Sequence, residues 1–237
     1  MKVAVLNFSG NVGKTTVAVQ LLKPRMADAP IYSIESINMG ADSDGVDVEK
    51  MKGKKFNQLV DELMLIDTAI IDVGASNVED FLKLMQQSAG SHEEFDLFVV
   101  PVVKEQKVQV DTINTIRSLK DIGVDKRRIK IVFNKVDTDD DVEEEFGGIF
   151  EEAESKKSAT VNAEATIYAN EVFERLKVAG KTLAEITADK TDYRAQLKTA
   201  KDQAEKDFCV QMVGMKRLAV SVNENLDKVW KILTAKK

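Results

Sequence analysis

The sequence predicts an α/β fold in which a doubly wound, mostly parallel sheet carries helices on both faces. Short apolar runs alternate with helical patterns through the first two thirds of the chain. These runs are apolar without strict alternation, which is typical of parallel strands that helices cover on both faces. Strands that alternate with helices in this way imply right-handed crossovers and therefore a doubly wound sheet.

The chain is long enough for one large hydrophobic core, since it has 237 residues of which 43% are hydrophobic. We expect one domain over residues 1–237. Near Thr166 the strand-helix alternation gives way to helical patterns. The expected domain therefore has an α/β core at 1–165 and a mainly helical C-terminal part at 166–237.

Five apolar runs predict the strands of this core. The first run immediately precedes a glycine-rich turn, and the others follow at the spacing that intervening helices require. The predicted strands are KVAVLNF at 2–8, APIYSI at 29–34, TAIIDV at 68–73, FDLFVVPVV at 95–103 and KIVFN at 130–134.

Helical periodicity predicts the elements between these strands. One helix covers about 14–23 and is stopped by Pro24. A second begins near Asn77, with Ser76 or Asn77 as its N-cap. A third covers about 106–120.

The last part of the chain is predicted to be a set of helices. Gly180 and Gly214 are the expected breaks between them. One apolar stripe runs through 217–233 and predicts a closing helix that packs on the sheet.

Composition excludes several classes of site. The lone Cys209 forms no internal disulfide, and a zinc cage needs more Cys and His than this chain has. His92 is the only histidine and lies in a polar stretch, which argues against a Ser-His-Asp hydrolase. The apolar stretch at 3–8 is too short for a signal peptide, and no apolar run approaches the about 20 residues of a membrane span. We therefore expect a cytoplasmic protein.

The stretch NFSGNVGKTT at 7–16 joins the first predicted strand to a helix. A glycine-rich turn at this point aims backbone N–H groups at one spot, where the helix dipole adds positive potential, so it predicts a phosphate-binding loop, or P-loop. Lys14 would add a full charge at the β- and γ-phosphates of a nucleotide, and the Thr15 hydroxyl is placed to ligate Mg²⁺. The expected nucleotide contacts are Gly10, Asn11, Val12, Gly13, Lys14, Thr15 and Thr16.

The loop departs from the standard P-loop pattern, which requires glycine where Phe8 stands. It resembles the deviant Walker A motif of the ParA/MinD ATPases, KGGxGKT[ST], over residues 9–16. In that family a lysine at the position of Ser9 reaches across a nucleotide-sandwiched dimer, and a glycine stands where this chain has Asn11. Together with IDVGASN at 71–77, the loop looks most similar to the StbB/TraL branch of plasmid stability and conjugal-transfer proteins.

A second acid is expected at the tip of a neighbouring strand, where it holds the Mg²⁺ shell. AIIDVGASN at 69–77 supplies Asp72 at the C-terminal end of a predicted parallel strand, where open α/β sheets bind ligands. Asp72 and Thr15 are thus the predicted magnesium ligands. Gly74 would form a turn whose N–H approaches the γ-phosphate.

The resemblance also implies an acid that orients the attacking water. The family places acids just after the second strand, in a DxDPQ-like segment, whereas this chain reads SIESINMGADSDG at 33–45. Glu35 is the closest match, with Asp42 and Asp44 as alternates. Together with Lys14 and Asp72, Glu35 completes the predicted catalytic set.

The run IVFNKVD at 131–137 ends another predicted strand and leaves the identity of the base open. In GTP-binding P-loop proteins NKxD recognises guanine, because the aspartate, here Asp137, accepts two donors from the base. ParA/MinD-like proteins use the asparagine, here Asn134, for adenine, and take further base contacts after the last strand, where Asn170 and Glu171 lie. We expect Asn134 near the base with Asp137 as the second candidate contact, and we favour ATP because of the P-loop resemblance.

Two surfaces in the last part of the chain are compared with known family surfaces. Basic residues recur at 190–217, where ParA-like proteins bind DNA nonspecifically, but interleaved acids and a net charge of -6 disfavour direct DNA binding. The segment NENLDKVWKILTAKK at 223–237 resembles a MinD-like membrane anchor in part, but such an anchor needs a dense basic face. Neither direct DNA binding nor membrane association is favoured.

The resemblance implies a slow ATPase, with ATP and Mg²⁺ as cofactors, that acts as a switch. Mg-ATP would order the loops at 36–46 and 73–77, and hydrolysis would release the partner surface. The process would be plasmid stability, partition or control of conjugative DNA transfer. The StbB/TraL resemblance implies a separate, plasmid-encoded DNA-binding protein as the partner, and the chain starts at its P-loop strand without room for a helix-turn-helix before it. A nucleotide-dependent homodimer is a further expectation, although Ser9 replaces the bridging lysine.

Three alternatives stay open. A GTPase of the same fold group is indicated by NKVD at 134–137. A small-molecule kinase or ligase is another, since related P-loop folds include such enzymes. A nucleotide-binding module with little hydrolysis is the third, because the family lysine and the DxDPQ acids are both missing.

Overall fold

The computed structural model of the chain describes residues 1–34 and 53–235. Six strands in this part form one sheet, in the order β2-β3-β1-β4-β5-β6, and every neighbouring pair is parallel. The strands are β1 (Lys2–Val5), β2 (Ile31–Ile34), β3 (Ala69–Val73), β4 (Leu97–Val102), β5 (Ile129–Val136) and β6 (Thr166–Tyr168). The predicted parallel sheet is confirmed, and β6 is an additional strand inside the part predicted to be mainly helical.

The strand order changes direction at β1, and this switch point predicts where a ligand binds. β1 lies between β3 and β4, so the chain moves to one side of β1 for the second and third strands and to the other side for the rest. The connections that leave the carboxyl ends of β1 and β4 therefore diverge. Open α/β sheets bind their ligands in the crevice that such a switch point creates.

The helices follow the expected alternation with the strands. They are α1 (Lys14–Thr16), α2 (Gly53–Met64), α3 (Ala75–Gln87), α4 (Gln106–Ile122), α5 (Val142–Glu145), α6 (Gly147–Lys156), α7 (Val172–Ala179), α8 (Leu183–Ala188), α9 (Tyr193–Thr199) and α10 (Gln203–Thr234). A π-helical segment, Val17–Leu22, and a 3-10 turn, Lys23–Arg25, continue α1, so Pro24 lies inside the final turn of this helix and does not precede its end.

Helices cover both faces of the sheet, as predicted. Along β1, Ala4 belongs to one core while Val3 and Val5 belong to the other, because successive strand residues point to opposite faces. The first core lies beneath α2, α3, α4 and α6 and contains an aromatic series in which Phe81 packs edge-on against both Phe56 and Phe95. The second core lies beneath the α1 helix and its continuation, α7, α8 and α10.

The long helix α10 closes the second core. Leu226, Val229 and Leu233 are buried there, which confirms the predicted closing helix. Gly180 ends α7 with a φ of 59°, as predicted. The break predicted at Gly214 is wrong, because Gly214 lies inside the 32 residues of α10. Burial of neighbouring helix residues outweighs the about 1 kcal/mol that an interior glycine costs.

Helix α10 is also tied to the end of the helix that follows the P-loop. Arg25 Nε and Nη2 donate to Asp227 Oδ1 at 3.0 and 2.7 Å. The same guanidinium donates to the carbonyl of Leu21 at 3.0 Å.

Within the described residues, no helix is long and apolar enough to span a bilayer.

Candidate nucleotide site

The glycine-rich loop lies at the switch point, between the end of β1 and the start of α1. Gly13 is the N-cap of α1 and has a φ of 87°, a left-handed conformation that favours glycine. A Cβ on Gly13 would lie 2.1 Å from Nδ2 of Asn134, so a side chain would fit there only if Asn134 moved. Asn11 has a φ of 58°, which an asparagine tolerates better than most residues do. The predicted contact residues at 10–16 are thus brought together in one turn.

The first half of this loop is fastened to α4, a feature that sequence reasoning missed. Three polar side chains from one side of α4 make the contacts, and the threonines among them are fully buried. Asn7 Nδ2 donates to Thr112 Oγ1 at 2.7 Å, the Phe8 N–H donates to Thr115 Oγ1 at 3.2 Å, and Ser9 Oγ donates to Asp111 Oδ2 at 2.5 Å. Ser9, which stands where the ParA/MinD motif has a lysine, therefore anchors the loop to its own chain.

Lys14 lies folded under the loop. Its side chain is buried, and its ammonium donates to the carbonyls of Ser9 at 2.6 Å and Asn7 at 3.2 Å. Burial lowers the pKa of Lys14 to about 8, against the opposing attraction of Asp72. A buried cation held by neutral oxygens is a favourable partner for an anion that enters the loop.

Asp72 meets Thr15 at the carboxyl end of β3. Alternation along β3 places Ile70 in the core beneath the α1 helix, so Asp72, two residues later, faces the same helix. The Thr15 hydroxyl donates to Asp72 Oδ2 at 2.7 Å. Asp72 is buried whereas Thr15 is exposed, so this oxygen pair lies at the boundary between the core and solvent. The two predicted magnesium ligands are therefore adjacent.

The start of α3 lies at the same edge of the sheet. Gly74 is the N-cap position, which corrects the predicted cap at Ser76 or Asn77. The Gly74 N–H donates to the carbonyl of Ile34 at 2.8 Å, and Asn77 Nδ2 also donates to that carbonyl, at 3.3 Å. The turn after β3 is thus held against the end of β2.

Asn134 and Lys135 hold the second half of the loop. Alternation along β5 places Val132 in the core beneath the α1 helix, so Asn134 faces the loop and its Nδ2 donates to the carbonyl of Val12 at 2.8 Å. A register irregularity follows between Asn134 and Val136, and Lys135 adopts a φ of 56°. This conformation lets the Lys135 ammonium donate to the carbonyl of Asn11 at 2.9 Å.

Asp137 lies just beyond β5 in an ion-pair cluster. Its Oδ2 accepts from Lys104 Nζ at 2.9 Å, and the same ammonium donates to Asp140 Oδ2 at 2.6 Å. These hydrogen bonds raise the pKa of Lys104 and lower the pKa of Asp140. Lys104 was not anticipated from the sequence, where it is only one of the polar residues between β4 and α4.

Of the other predicted site residues, three fall outside the described residues and two make contacts at the start of α7. Glu35, Asp42 and Asp44 fall outside the described residues 1–34 and 53–235. Asn170 Oδ1 accepts from the N–H of Val172, while Glu171 pairs with Arg175 at 3.0 Å, so both are engaged at the start of α7.

Comparisons with known proteins are consistent with this architecture. A scan against protein-family models and a search of curated proteins found no match. Among solved structures, MinD of Aquifex aeolicus in a MinC:MinD complex matches at 16% identity with a TM-score of 0.53, covering 90% of this chain and 96% of that one. The cell-division ATPase MinD of Pyrococcus furiosus matches at 14% identity and a TM-score of 0.51, covering 91% and 98%.

A Borrelia burgdorferi B31 protein assigned to plasmid partition and bound to AMPPNP matches at 12% identity and a TM-score of 0.50, covering 90% of this chain and 97% of that one. Structural similarity at such low sequence identities shows a shared fold. The order of parallel strands around β1 and the helices on both faces agree with them. The chain therefore has the α/β fold of MinD-type ATPases.

Proposed function

We propose that this protein is a ParA/MinD-type ATPase that works as a nucleotide-dependent switch. One observation supports the proposal most directly. At the carboxyl end of β1 the buried Lys14 lies under a glycine-rich loop, and the Thr15 hydroxyl lies 2.7 Å from Asp72 Oδ2. A phosphate-binding turn, a cation and two hard oxygen ligands meet there, as Mg-nucleotide binding requires. The MinD-type fold supports the same conclusion.

The residues present fit Mg²⁺ and a triphosphate. Within residues 1–34 and 53–235, no group of three or more His, Cys, Asp and Glu could hold a metal. Magnesium in nucleotide sites needs no such group, because it binds one or two protein oxygens and completes its shell with phosphates and water. Thr15 and Asp72 supply that number of protein ligands.

Each part of the loop has a role in this proposal. When bound, Mg²⁺ neutralises charge on the phosphates. Lys14, whose ammonium donates to the carbonyls of Asn7 and Ser9, would supply a positive charge to the phosphates, and the N–H groups at the start of α1 would supply donors. Asn134 occupies the space that a Cβ on Gly13 would need and donates to the carbonyl of Val12, which holds the loop against β5. Glu35 remains the proposed group that orients water.

We further propose a role in plasmid stability, partition or control of conjugative transfer, within the cytoplasm and close to the StbB/TraL branch. The structural match to a protein assigned to plasmid partition supports this process, and the match to a MinD seen with MinC supports action with a partner protein. The proposed partner is a separate DNA-binding protein. Light scattering with and without an ATP analogue would test the nucleotide-dependent homodimer.

A GTPase is the second candidate, and one observation favours it. Asn134 and Lys135 of the NKVD run both donate to carbonyls of the loop, so Asp137 lies at the same edge of the sheet as the P-loop. A carboxylate there can accept two donors from guanine. A competition experiment with ATP and GTP analogues on the wild-type protein distinguishes the two candidates, because an ATPase prefers the ATP analogue and a GTPase prefers the GTP analogue.

The proposed ATPase is tested by single-turnover hydrolysis and analogue binding in three proteins: the wild type, Lys14→Ala and the control Lys83→Ala. Lys83 is an exposed lysine of α3. We expect saturable, Mg²⁺-dependent binding and phosphate release in the wild type and the control, and a loss of both in Lys14→Ala. Binding without Lys14-dependent release would leave a nucleotide-binding module. Failure to bind either ATP or GTP would contradict the proposal.

A further inference from the structure

The ammonium of Lys104 joins two carboxylates beyond the end of β5. It lies 2.9 Å from Asp137 Oδ2 and 2.6 Å from Asp140 Oδ2. The cluster is fixed from both sides: Gln109 Nε2 donates to the carbonyl of Lys104 at 2.9 Å, and the Asp137 N–H donates to Asp140 Oδ2 at 3.0 Å. Lys104 therefore has a defined position beside Asp137.

The two sides of the P-loop indicate where a base would lie. On the β3 side the loop meets the Thr15 and Asp72 oxygens, which mark the magnesium and the terminal phosphates in the proposed function. On the β5 side it meets Asn134 and Lys135. A nucleotide whose terminal phosphates lie on the β3 side extends toward the β5 side, since β3 and β5 lie on opposite sides of β1 in the sheet. Its base then reaches the surroundings of Asp137.

Guanine and adenine present different hydrogen-bonding groups to a carboxylate such as that of Asp137. Guanine presents two adjacent N–H donors to a carboxylate, whereas adenine presents one donor beside an acceptor, and a carboxylate only accepts. Asp137 Oδ2 already accepts from Lys104, so a guanine that bonds both carboxylate oxygens competes with the ammonium for Oδ2. Adenine has no need of both carboxylate oxygens and does not compete for them.

We propose that Lys104 is a specificity-determining residue: by occupying the Asp137 carboxylate, it disfavours guanine and shifts the site toward adenine nucleotides. This inference rests on the proposed nucleotide-binding function. Because hydrogen bonds to the aspartates raise the pKa of Lys104, its ammonium stays charged at physiological pH and the contact persists. Asp137 is more than half exposed, so the effect on preference is modest.

The test measures dissociation constants for ATPγS and GTPγS, with Mg²⁺, by calorimetry. The proteins are the wild type, Lys104→Met, Lys104→Arg and the control Lys107→Met, whose lysine is exposed on the first turn of α4. We expect Lys104→Met to raise the ratio of GTPγS to ATPγS affinity about fivefold, the upper end of what the loss of one exposed ion pair, that with Asp137, implies. Lys104→Arg and Lys107→Met should keep the wild-type ratio within twofold.

A second variant tests whether the change in the affinity ratio depends on Asp137. Adding Asp137→Asn to Lys104→Met should return the ratio to the wild-type value, while the exposed Asp139→Asn should not. An unchanged ratio in Lys104→Met, or a raised ratio that survives Asp137→Asn, would overturn the role of Lys104 while leaving nucleotide binding established. If no variant binds either analogue, the proposed function fails, and this inference fails with it.

Discussion

The Thr15 hydroxyl and the Asp72 carboxylate are joined by a 2.7 Å hydrogen bond that connects the first turn of α1 to the end of β3. Strand register places Asp72 beside Val5, the last residue of β1, so the bond spans the base of the glycine-rich loop. The fold thus holds the Thr15 Oγ1 and Asp72 Oδ2 oxygens, from two separate elements, at hydrogen-bond distance. A hard cation that binds both oxygens would need little rearrangement of the chain.

Substitution of either ligand should weaken the contribution of magnesium to nucleotide binding, because Thr15→Val removes the hydroxyl oxygen and Asp72→Asn removes the carboxylate charge. For Thr15→Val and Asp72→Asn we expect the Mg²⁺-dependent gain in ATP affinity to fall by about tenfold or more, which corresponds to about 1.4 kcal/mol. The measurement is a titration of an ATP analogue with and without Mg²⁺. Asp121→Asn, at an exposed position at the end of α4, is the control. An unchanged magnesium effect in both variants would exclude this oxygen pair as the metal site.

Gly13→Ala should damage both folding and binding. The new Cβ would lie 2.1 Å from Asn134 Nδ2, and the φ of 87° strains any side chain. We expect a loss of unfolding free energy of about 2 kcal/mol or more in urea titrations, together with loss of nucleotide binding. Gly148→Ala, in the exposed first turn of α6 with no atom near its Cβ, is the matched control and should leave stability equal or higher. Equal stability of Gly13→Ala and the control would show that the loop has another conformation.

Lys14 should make the stability of the nucleotide-free protein depend on pH. Its folded-state pKa of about 8 lies below the ordinary lysine pKa of 10.5, because burial disfavours the charged form. In the window between these values the unfolded chain binds more protons, so the unfolding free energy rises with pH. We expect the stability of the wild type relative to Lys14→Met to increase from pH 8 toward pH 10, and to be constant below pH 8. Urea titrations of both proteins give this difference, and a difference that stays flat above pH 8 would show that Lys14 is not desolvated.

Arg25 should be important for the attachment of α10. Its guanidinium is largely buried and donates to Asp227 and to backbone carbonyls. Arg25→Met leaves these acceptors without a charged donor, so we expect a loss of about 2 kcal/mol of unfolding free energy. Arg217→Met is the control, because Arg217 is exposed and makes no ion pair with a described residue, and it should change stability by less than about 0.5 kcal/mol. Equal losses in both variants would contradict the anchoring role.

The local parts of this site could be predicted from the sequence. The order strand, glycine loop, helix is contiguous at 2–16, and Asp72 follows an apolar run whose length identifies a strand. The spatial meeting of Thr15 and Asp72 followed from the rule that parallel strands bring their carboxyl ends to one edge. Alternation then fixed which face each side chain takes, so no long-range information was needed.

The remaining contacts depend on residues far apart in the sequence. Asn7 and Thr112 are 105 positions apart, and Asn134 reaches a carbonyl 122 positions away. No periodicity or motif in either segment specifies such a pairing. Gly214 illustrates a different limit: its local propensity predicts a break, but burial of Met212 and Met215 beside it keeps α10 continuous.

The most direct measurement of the central claim is a crystal structure of the protein with AMPPNP and Mg²⁺. We predict that the phosphates lie against the amides of the loop, that Lys14 Nζ has left the Ser9 carbonyl for a phosphate oxygen, and that Mg²⁺ lies between Thr15 and Asp72. A nucleotide bound elsewhere, with Lys14 still on the Ser9 carbonyl, would contradict it.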